Sequence, residues 1–402
     1  MSKEVSPTLA EIQAQLVKTA KAFPKFARLE QVGLSGQGRP LLAMRLTDPS
    51  VRPADKQHVL VAGGQHGNEE SGRAVAMALI DWLCRGGRPL LACHEIAVMP
   101  LVNPDGAAEE TYGTPAGVKP NTDHGPNGPT IPEAAALQKL AYELEPEVYV
   151  DLHARGHAGC SYDMVLYPGP QPYTSDDLVL QKLAVEMAAA SDRTGIVTVV
   201  HPLSWPGWTG NIDLDGPSST TFHYRQFKSI VLLTENAEHN EFAYCLPHRQ
   251  AAGLARLKTL LAYGRRRWDG LYYPGYPSGM AVGMFHLGLV AVGKTMAARR
   301  ASRIAMWRHH AKFDKLGMAN PEKLKEKRVI LDYSGPELPT GAGIQFRASM
   351  KMAVKRVALN GKALRPSETN GYYTWQDRST TYVVAAMPVL KSGQTVLEVQ
   401  FR

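Results

Sequence analysis

The sequence predicts an α/β three-layer sandwich with a mixed, mostly parallel sheet, followed by a small C-terminal all-β sandwich module. In residues 1–265, short apolar runs alternate with stretches of helical periodicity, which is typical of strands joined by crossover helices. In residues 328–402, short alternating runs follow one another with no helical stretch between them, which is typical of antiparallel sheets. A segment at residues 266–327 joins the two.

The helices and strands of the first domain follow from periodicity and from turn residues. The first helix is predicted to begin after Ser6, a capping residue in front of a proline, with Leu9, Ile12 and Leu16 on its apolar face. The later elements are predicted, in chain order, at LLAMRLT (strand), HVLVAG (strand), SGRAVAMALIDWLC (helix), EIAVMPLVN (strand), IPEAAALQKLAYELE (helix), EVYVDLHA (strand), LVLQKLAVEMAAASD (helix), KSIVLLTEN (strand) and HRQAAGLARLKTLLAYG (helix).

Two connecting regions stand out by composition. Residues 106–130 are rich in Gly, Pro, Thr and Asn, which predicts a long loop of functional interest. Residues 264–330 hold fourteen Lys or Arg and four Asp or Glu, against a net charge of +8 for the whole chain. This Gly- and Met-rich segment is predicted to be helical. A solvated basic face or a contact in a homo-oligomer is favoured over nucleic-acid or membrane binding, because regular aromatic interleaving is absent.

The β module is predicted from six alternating runs. Asn360-Gly361, between two of them, predicts a hairpin turn. The runs are RVILDY, GIQFRA, VKRVALNGKAL, GYYTWQ, TTYVVAAM and TVLEVQF.

The cysteines and the N-terminal residues indicate the cellular compartment in which the protein is expected. The four cysteines form no CxxC pair, which argues against a disulfide framework and a cysteine-based zinc site. The first residues contain no apolar run typical of a secretory signal. A cytoplasmic protein is therefore expected, although export is not excluded.

Ionisable side chains follow several of the predicted strands. His66 and Glu69 come after HVLVAGGQ, His153 ends VYVDLHA, and Glu235 ends SIVLLTE. The carboxyl ends of strands form the ligand crevice of open α/β sheets. Two neutral imidazoles and one carboxylate make a three-ligand zinc set that leaves a position for water, so one zinc ion is predicted on His66, Glu69 and His153. Asp151 is expected to orient an imidazole from the same strand face.

Glu235 is then a carboxylate that is not needed as a ligand. A carboxylate beside a zinc-bound water can take its proton and pass it to a leaving nitrogen. The predicted chemistry is therefore metal-assisted amide hydrolysis, with Glu235 as general base and acid.

The motifs HGNE, NPDG, DLH and LLTE, in this order, resemble those of the zinc carboxypeptidase family, the M14-type metallocarboxypeptidases. The resemblance covers about residues 8 to 262. It implies the zinc carboxypeptidase fold, zinc on the two histidines and Glu69, and Glu235 in catalysis. The HGNE form is also similar to that of the aspartoacylase and succinylglutamate desuccinylase branch.

The chain departs from the family pattern at its arginines. Asn68 stands where the family usually has an arginine within HxxE, and no arginine follows NPDG as far as Gly128. Asn121 matches the asparagine of the family's Asn-Arg pair, but Thr122 takes the arginine's place. Thr cannot supply the fork of donors that grips a terminal carboxylate, so an ordinary C-terminal residue is not the expected substrate.

Arg155 and His124 are the candidate replacement cations, with Asn121 as a further substrate-binding candidate. Three hypotheses remain open at this point. The first is a zinc-dependent hydrolase of peptide or peptide-like amides. The second is an N-acyl amino acid deacylase, and the third is a zinc-binding scaffold without catalysis.

Overall fold

The structure of the protein is a computed structural model, which describes residues 7–53, 56–155, 162–167, 177–202, 217–227, 229–237, 246–268, 289–291, 327–333, 337–348, 352–367, 370–377 and 380–402. The described residues divide into two compact units, with the boundary between residues 266 and 267. In the described part of the chain, no helix is long and apolar enough to cross a membrane.

The first unit is built on one sheet of eight strands. Its strands are β1 (Ala27–Leu34), β2 (Pro40–Leu46), β3 (Gln57–Gly63), β4 (His94–Met99), β5 (Val148–Arg155), β6 (Asp163–Tyr167), β7 (Thr198–Pro202) and β8 (Ile230–Ala237). The strand order is β1-β2-β4-β3-β5-β8-β6-β7. The pairs β3/β4, β3/β5, β5/β8 and β6/β7 are parallel, and the other three are antiparallel. The predicted mixed, mostly parallel sheet is confirmed.

Helices pack against this sheet. They are α1 (Leu9–Ala22), α2 (Glu70–Cys84), α3 (Pro104–Ala108), α4 (Pro132–Leu144), α5 (Asp177–Asp192), α6 (Ser219–Phe227) and α7 (Leu246–Trp268). The cap of the first helix is Thr8, not Ser6: its hydroxyl accepts from Glu11 N, and the Glu11 carboxylate accepts from Thr8 N. This reciprocal pair is a capping box.

The strands β3, β5 and β8 lie at the centre of the sheet. Each is a nearly continuous apolar run, and β8 is buried along its whole length. Strands that are covered on both faces have nearly continuous apolar sequences, because neither face meets water. The three strands carry the ionisable groups predicted at their carboxyl ends.

The second unit is a β-sandwich, as predicted. Its strands are β9 (Leu289–Ala291), β10 (Arg328–Tyr333), β11 (Leu338–Ala348), β12 (Val354–Leu359), β13 (Lys362–Ala363), β14 (Tyr372–Asp377), β15 (Thr380–Leu390) and β16 (Gly393–Phe401). Two four-stranded sheets, β10-β16-β12-β13 and β14-β15-β11-β9, share one apolar core that includes Leu331, Phe346 and Leu397. The predicted hairpin is confirmed: Asn360 and Gly361 both have positive φ, 50° and 77°, between β12 and β13.

Three features differ from the sequence expectations. The Asn-Pro-Asp-Gly motif, which directly follows a predicted strand, begins the short helix α3. The strands β6 and β7 and the helix α6 were not predicted, and neither was most of β1. In the basic segment, residues 289–291 form a strand, since their backbone pairs with β11; residues 269–288 and 292–326 lie outside the described residues.

Candidate metal centre

A tight turn carries the chain from β3 into α2. Gly64 adopts φ +60°, and a Cβ there would lie 2.8 Å from Leu101 Cδ1. Glycine reaches this conformation without steric cost, whereas other residues do not. The chain therefore turns sharply at Gly64. It delivers His66 and Glu69 to the edge of the sheet, and both side chains are buried.

The NPDG motif and the residues after it pack against this turn and contact its backbone. Asn103 caps α3 by accepting from Gly106 N at 2.8 Å, and Asn68 N donates to Thr111 O at 3.1 Å. The backbones approach so closely that a Cβ on Gly67 would lie 2.0 Å from the carbonyl carbon of Gly106. The segment thus fixes the position of the metal-binding turn.

Asp105, the acid of NPDG, has a structural role. Its carboxylate accepts from Ser35 Oγ at 2.7 Å, from Gln37 N at 2.8 Å and from Arg39 at 2.7 Å. It therefore joins α3 to the turn between β1 and β2. Asn103, through its cap of α3, likewise has a structural role.

Glu69 and His153 meet because α2 approaches β5 without a side chain between them. A Cβ on Gly72 would lie 2.4 Å from Leu152 O, so only glycine permits this distance. The Glu69 carboxylate oxygen Oε2 lies 3.0 Å from His153 Nδ1 and accepts from Ala154 N at 3.0 Å. The close approach links two residues that are 84 positions apart in the chain.

The three predicted ligands converge. Potential ligand atoms of His66, Glu69 and His153 all lie within 4.8 Å of one another. Among the described residues, these three side chains form a cluster that could hold a metal ion. Burial, and then the charge of His153, lowers the pKa of His66 to about 4, which keeps that imidazole in the neutral form that binds metals. The donor set fits zinc, with three protein ligands and one open position.

Asp151 supports His153 from behind, as predicted. A carboxylate oxygen of Asp151 lies 3.0 Å from His153 Nε2, and the carboxylate accepts from Gln65 Nε2 and from Ser219 Oγ at 2.7 Å. Burial opposes ionisation of Asp151, but His153 and these hydrogen bonds outweigh it and lower its pKa to about 2. A charged carboxylate therefore fixes the imidazole orientation.

When no metal is bound, the two carboxylates beside His153 favour its protonated form. Burial by itself lowers the pKa of His153, but Asp151 and Glu69 together raise it well above the ordinary value. Metal binding requires the neutral imidazole, so a metal ion exchanges for this proton.

Glu235 lies beside His153 on the next strand. The two residues are register partners in the parallel pair of β5 and β8, and neighbouring strands run about 4.8 Å apart. Glu235 is buried, with 6% of its surface exposed. It is not one of the three clustered ligands, so it is placed as a second carboxylate next to the metal-binding group.

A buried ion pair fixes the end of β8 just beyond Glu235. Arg256 of α7 donates to Asp163 at 2.7 Å and to Asn236 Oδ1 at 2.6 Å. Asp163 also accepts from Ala237 N at 2.9 Å. The two backbone positions after Glu235 are therefore tied to α7 and β6.

Sequence reasoning missed Tyr112. Its ring stacks on the His66 imidazole with centroids 3.6 Å apart and planes 8° apart, and its carbonyl lies 3.0 Å from His66 Nδ1. Lys119 places its ammonium 5.0 Å from the centre of the same ring. Both residues lie in the long loop, and the absence of arginine there was the only sequence signal.

The predicted substrate-binding residues have different surroundings. His124 is fully buried; its Nδ1 lies 3.2 Å from Gln138 Nε2 and its ring contacts Phe222. These contacts are structural, and a substrate role for His124 stays a prediction. Asn121 belongs to a short 3-10 turn, and its buried Oδ1 has no hydrogen-bond partner among the residues described. Arg155 ends β5, and its side chain lies outside the described part.

Residues 12–119 match the family model for zinc carboxypeptidase. Carboxypeptidase D from Anas platyrhynchos is 32% identical over 115 residues, covering 27% of this chain and 8% of the relative. Carboxypeptidase E from Caenorhabditis elegans is 31% identical over 105 residues, covering 24% and 22%.

Residues 12–119 are thus similar to zinc carboxypeptidases over part of the α/β unit. Two solved structures share the fold of this unit. Carboxypeptidase A from Helicoverpa armigera has a TM-score of 0.55 at 19% identity, covering 68% of this chain and 76% of that one. A metallo-carboxypeptidase from Burkholderia cenocepacia has a TM-score of 0.54 at 18% identity, covering 63% and 68%. The matched residues contain His66 and Glu69; His153 and Glu235 lie beyond the match and are brought beside them by the fold.

Proposed function

We propose that this protein is a zinc-dependent hydrolase of peptide or peptide-like amide bonds. The observation that carries the proposal is the placement of Glu235 as the register partner of the ligand His153, beside the group formed with His66 and Glu69. Zinc, when bound there, supplies a Lewis acid and a water of lowered pKa. The zinc carboxypeptidase match of residues 12–119 supports the same chemistry. The chain spans less than a quarter of the two curated relatives named above.

Glu235 acts as general base and then as general acid. Its buried carboxylate takes a proton from the attacking water and delivers it to the amide nitrogen as the C–N bond breaks. The ion pair of Arg256 and Asp163 restrains the end of β8, so the carboxylate keeps its place beside the ligands. Such positioning matters because proton transfer requires hydrogen-bond distance.

The substrate is not an ordinary peptide with a free C-terminal residue. Thr122 is exposed, and its hydroxyl is engaged with Lys119 O at 3.3 Å. A single hydroxyl cannot form the two parallel bonds that bind a carboxylate. A C-terminally modified peptide, or an acylated amino acid in the deacylase alternative, avoids that requirement.

The test uses the purified full-length chain loaded with zinc. Hydrolysis is measured on peptides with free and blocked C-termini and on N-acyl amino acids. Glu235→Gln is expected to keep stoichiometric zinc, because Glu235 is not a ligand, and to lose about 10²- to 10⁴-fold in kcat. Glu143→Gln, an exposed carboxylate on α4, is the matched control and is expected to behave as wild type.

Three results would count against the proposal. Turnover of acylated amino acids alone identifies the deacylase instead. Zinc binding without hydrolysis of any amide identifies a scaffold. Glu235→Gln with wild-type turnover removes the assigned base.

A further inference from the structure

Tyr112 has its ring fixed against a metal ligand. The ring lies almost parallel to the His66 imidazole at 3.6 Å, and the Tyr112 carbonyl is 3.0 Å from His66 Nδ1. An aromatic stack and a backbone hydrogen bond therefore act on the same pair of residues. The position of the Tyr112 ring is set by the metal site itself.

The hydroxyl group of Tyr112 is accessible to a bound substrate. The residue is 45% exposed, and its hydroxyl forms no hydrogen bond with the residues that the structure describes. A phenol is protonated at neutral pH and can donate one hydrogen bond.

Lys119 places a positive charge against the ring of Tyr112. Its ammonium is 5.0 Å from the Tyr112 ring centre, and that ring is 3.6 Å from the His66 ring. The two distances together place the ammonium within 8.6 Å of the His66 ring centre. A cation over an aromatic face is attracted by the ring, so Lys119 also restrains Tyr112.

We propose that Tyr112 is a further catalytic residue, whose phenol donates a hydrogen bond to the substrate carbonyl oxygen as negative charge develops on it. The inference rests on the proposed hydrolase function. As water adds, a bond forms between the water oxygen and the carbonyl carbon, and the carbonyl π electrons move to the oxygen. Tyr112 keeps its proton throughout. The C–N bond then breaks, the carbonyl reforms, and Glu235 delivers its proton to the nitrogen.

The proposal explains how the site works without arginine in this loop. The stretch after NPDG contains no arginine before residue 129, although a developing oxyanion requires a positioned donor. Tyr112 lies in that stretch, and its ring is held by His66 and Lys119. A phenol donor fixed in this way needs no reorganisation during the reaction, which is the condition for effective oxyanion stabilisation.

The test compares zinc-loaded wild type with Tyr112→Phe. Phenylalanine keeps the ring that stacks on His66 and removes only the hydroxyl. Tyr142→Phe is the matched control, because Tyr142 on α4 is similarly exposed, at 49%. Zinc content, kcat and KM are measured on the best amide substrate of the wild type. Calorimetry with a dipeptide phosphonate, whose anionic oxygen stands in for the oxyanion, gives a second measurement without turnover.

Tyr112→Phe is expected to retain zinc and to lose about 10²- to 10³-fold in kcat, with KM little changed. Its phosphonate affinity is expected to fall by a similar factor, while Tyr142→Phe matches wild type in both. Phosphonate affinity within threefold of wild type, or a wild type that binds no phosphonate, would overturn the role of Tyr112. Failure of the hydrolase function is recognised separately, by wild-type turnover that is absent or that survives Glu235→Gln.

Discussion

Replacing Gly72 with alanine tests whether the close contact of α2 with β5 assembles the metal site. The new Cβ would lie 2.4 Å from Leu152 O, whereas real Cβ atoms essentially never come closer than 3.0 Å. The helix must therefore move by about 0.6 Å relative to the strand, and Glu69 moves away from His153 with it. Metal–ligand distances tolerate only about 0.2 Å. The displacement is thus too large for the site to absorb unchanged.

Two energies oppose each other in this variant. Alanine stabilises a helix interior by about 1 kcal/mol relative to glycine, while overpacking typically costs about 1–3 kcal/mol. The expected net change is therefore a loss of about 0 to 2 kcal/mol in the free energy of unfolding. If the overpacking cost of about 1–3 kcal/mol falls on the metal-bound form, zinc affinity decreases by roughly 5- to 150-fold. This conversion uses about 1.4 kcal/mol for each factor of ten.

Zinc affinity is measured by competition with a chelator, and stability by urea unfolding of the metal-free protein. Gly87→Ala is the control at the other end of α2, where the new Cβ would lie 2.9 Å from the Trp82 ring. It is expected to alter stability and to leave zinc affinity unchanged. A Gly72→Ala protein that binds zinc within twofold of wild type would refute the reasoning.

Four further predictions concern the same unit. Asp151→Asn is expected to weaken zinc binding about 10- to 100-fold, measured by chelator competition, because His153 loses its charged partner. Chelating zinc is expected to remove about 2.7 kcal/mol of stability when the free metal had been at 100 times its Kd, seen as a lower Tm. Arg256→Met is expected to cost about 3–5 kcal/mol in urea unfolding, since Asp163 is left buried without its cation; a loss below 1 kcal/mol would contradict this. Burial lowers the pKa of His94 to about 4, below an unfolded value of about 6.5. The unfolded chain therefore takes up a proton first, and about 3 kcal/mol of stability is lost as pH falls from 6.5 to 4; His94→Asn should show a flatter pH dependence of the urea midpoint.

Much of the fold could be predicted from local patterns. The strands β3, β5 and β8 are apolar runs bounded by polar or turn residues, and their burial on both faces makes that pattern unambiguous. The strands β6 and β7 were missed because their sequences lie near glycine- and proline-rich stretches without clear alternation. The helix α6 was missed for a related reason: its sequence, STTFHYRQF, has weak apolar periodicity.

The residue types of the candidate site were also predictable, but its supporting contacts were not. His66, Glu69, His153 and Glu235 follow strands, and parallel strands end at one edge. The position of Tyr112 depends instead on how the long loop folds back on the metal-binding turn, through contacts distant in the chain. A glycine- and proline-rich loop carries no periodic signal, so sequence patterns did not single out Tyr112.

The sequence by itself determined the α/β class, the β module and the four ionisable residues of the hydrolytic site, because burial and strand ends are recorded in local apolar patterns. Only the tertiary structure decided the distances between those residues and the neighbours that orient them. These depend on backbone approaches such as that of Gly72 to Leu152, and on packing between elements that are far apart along the chain. Such contacts are selected by the fit of the whole unit, which no single stretch of sequence specifies.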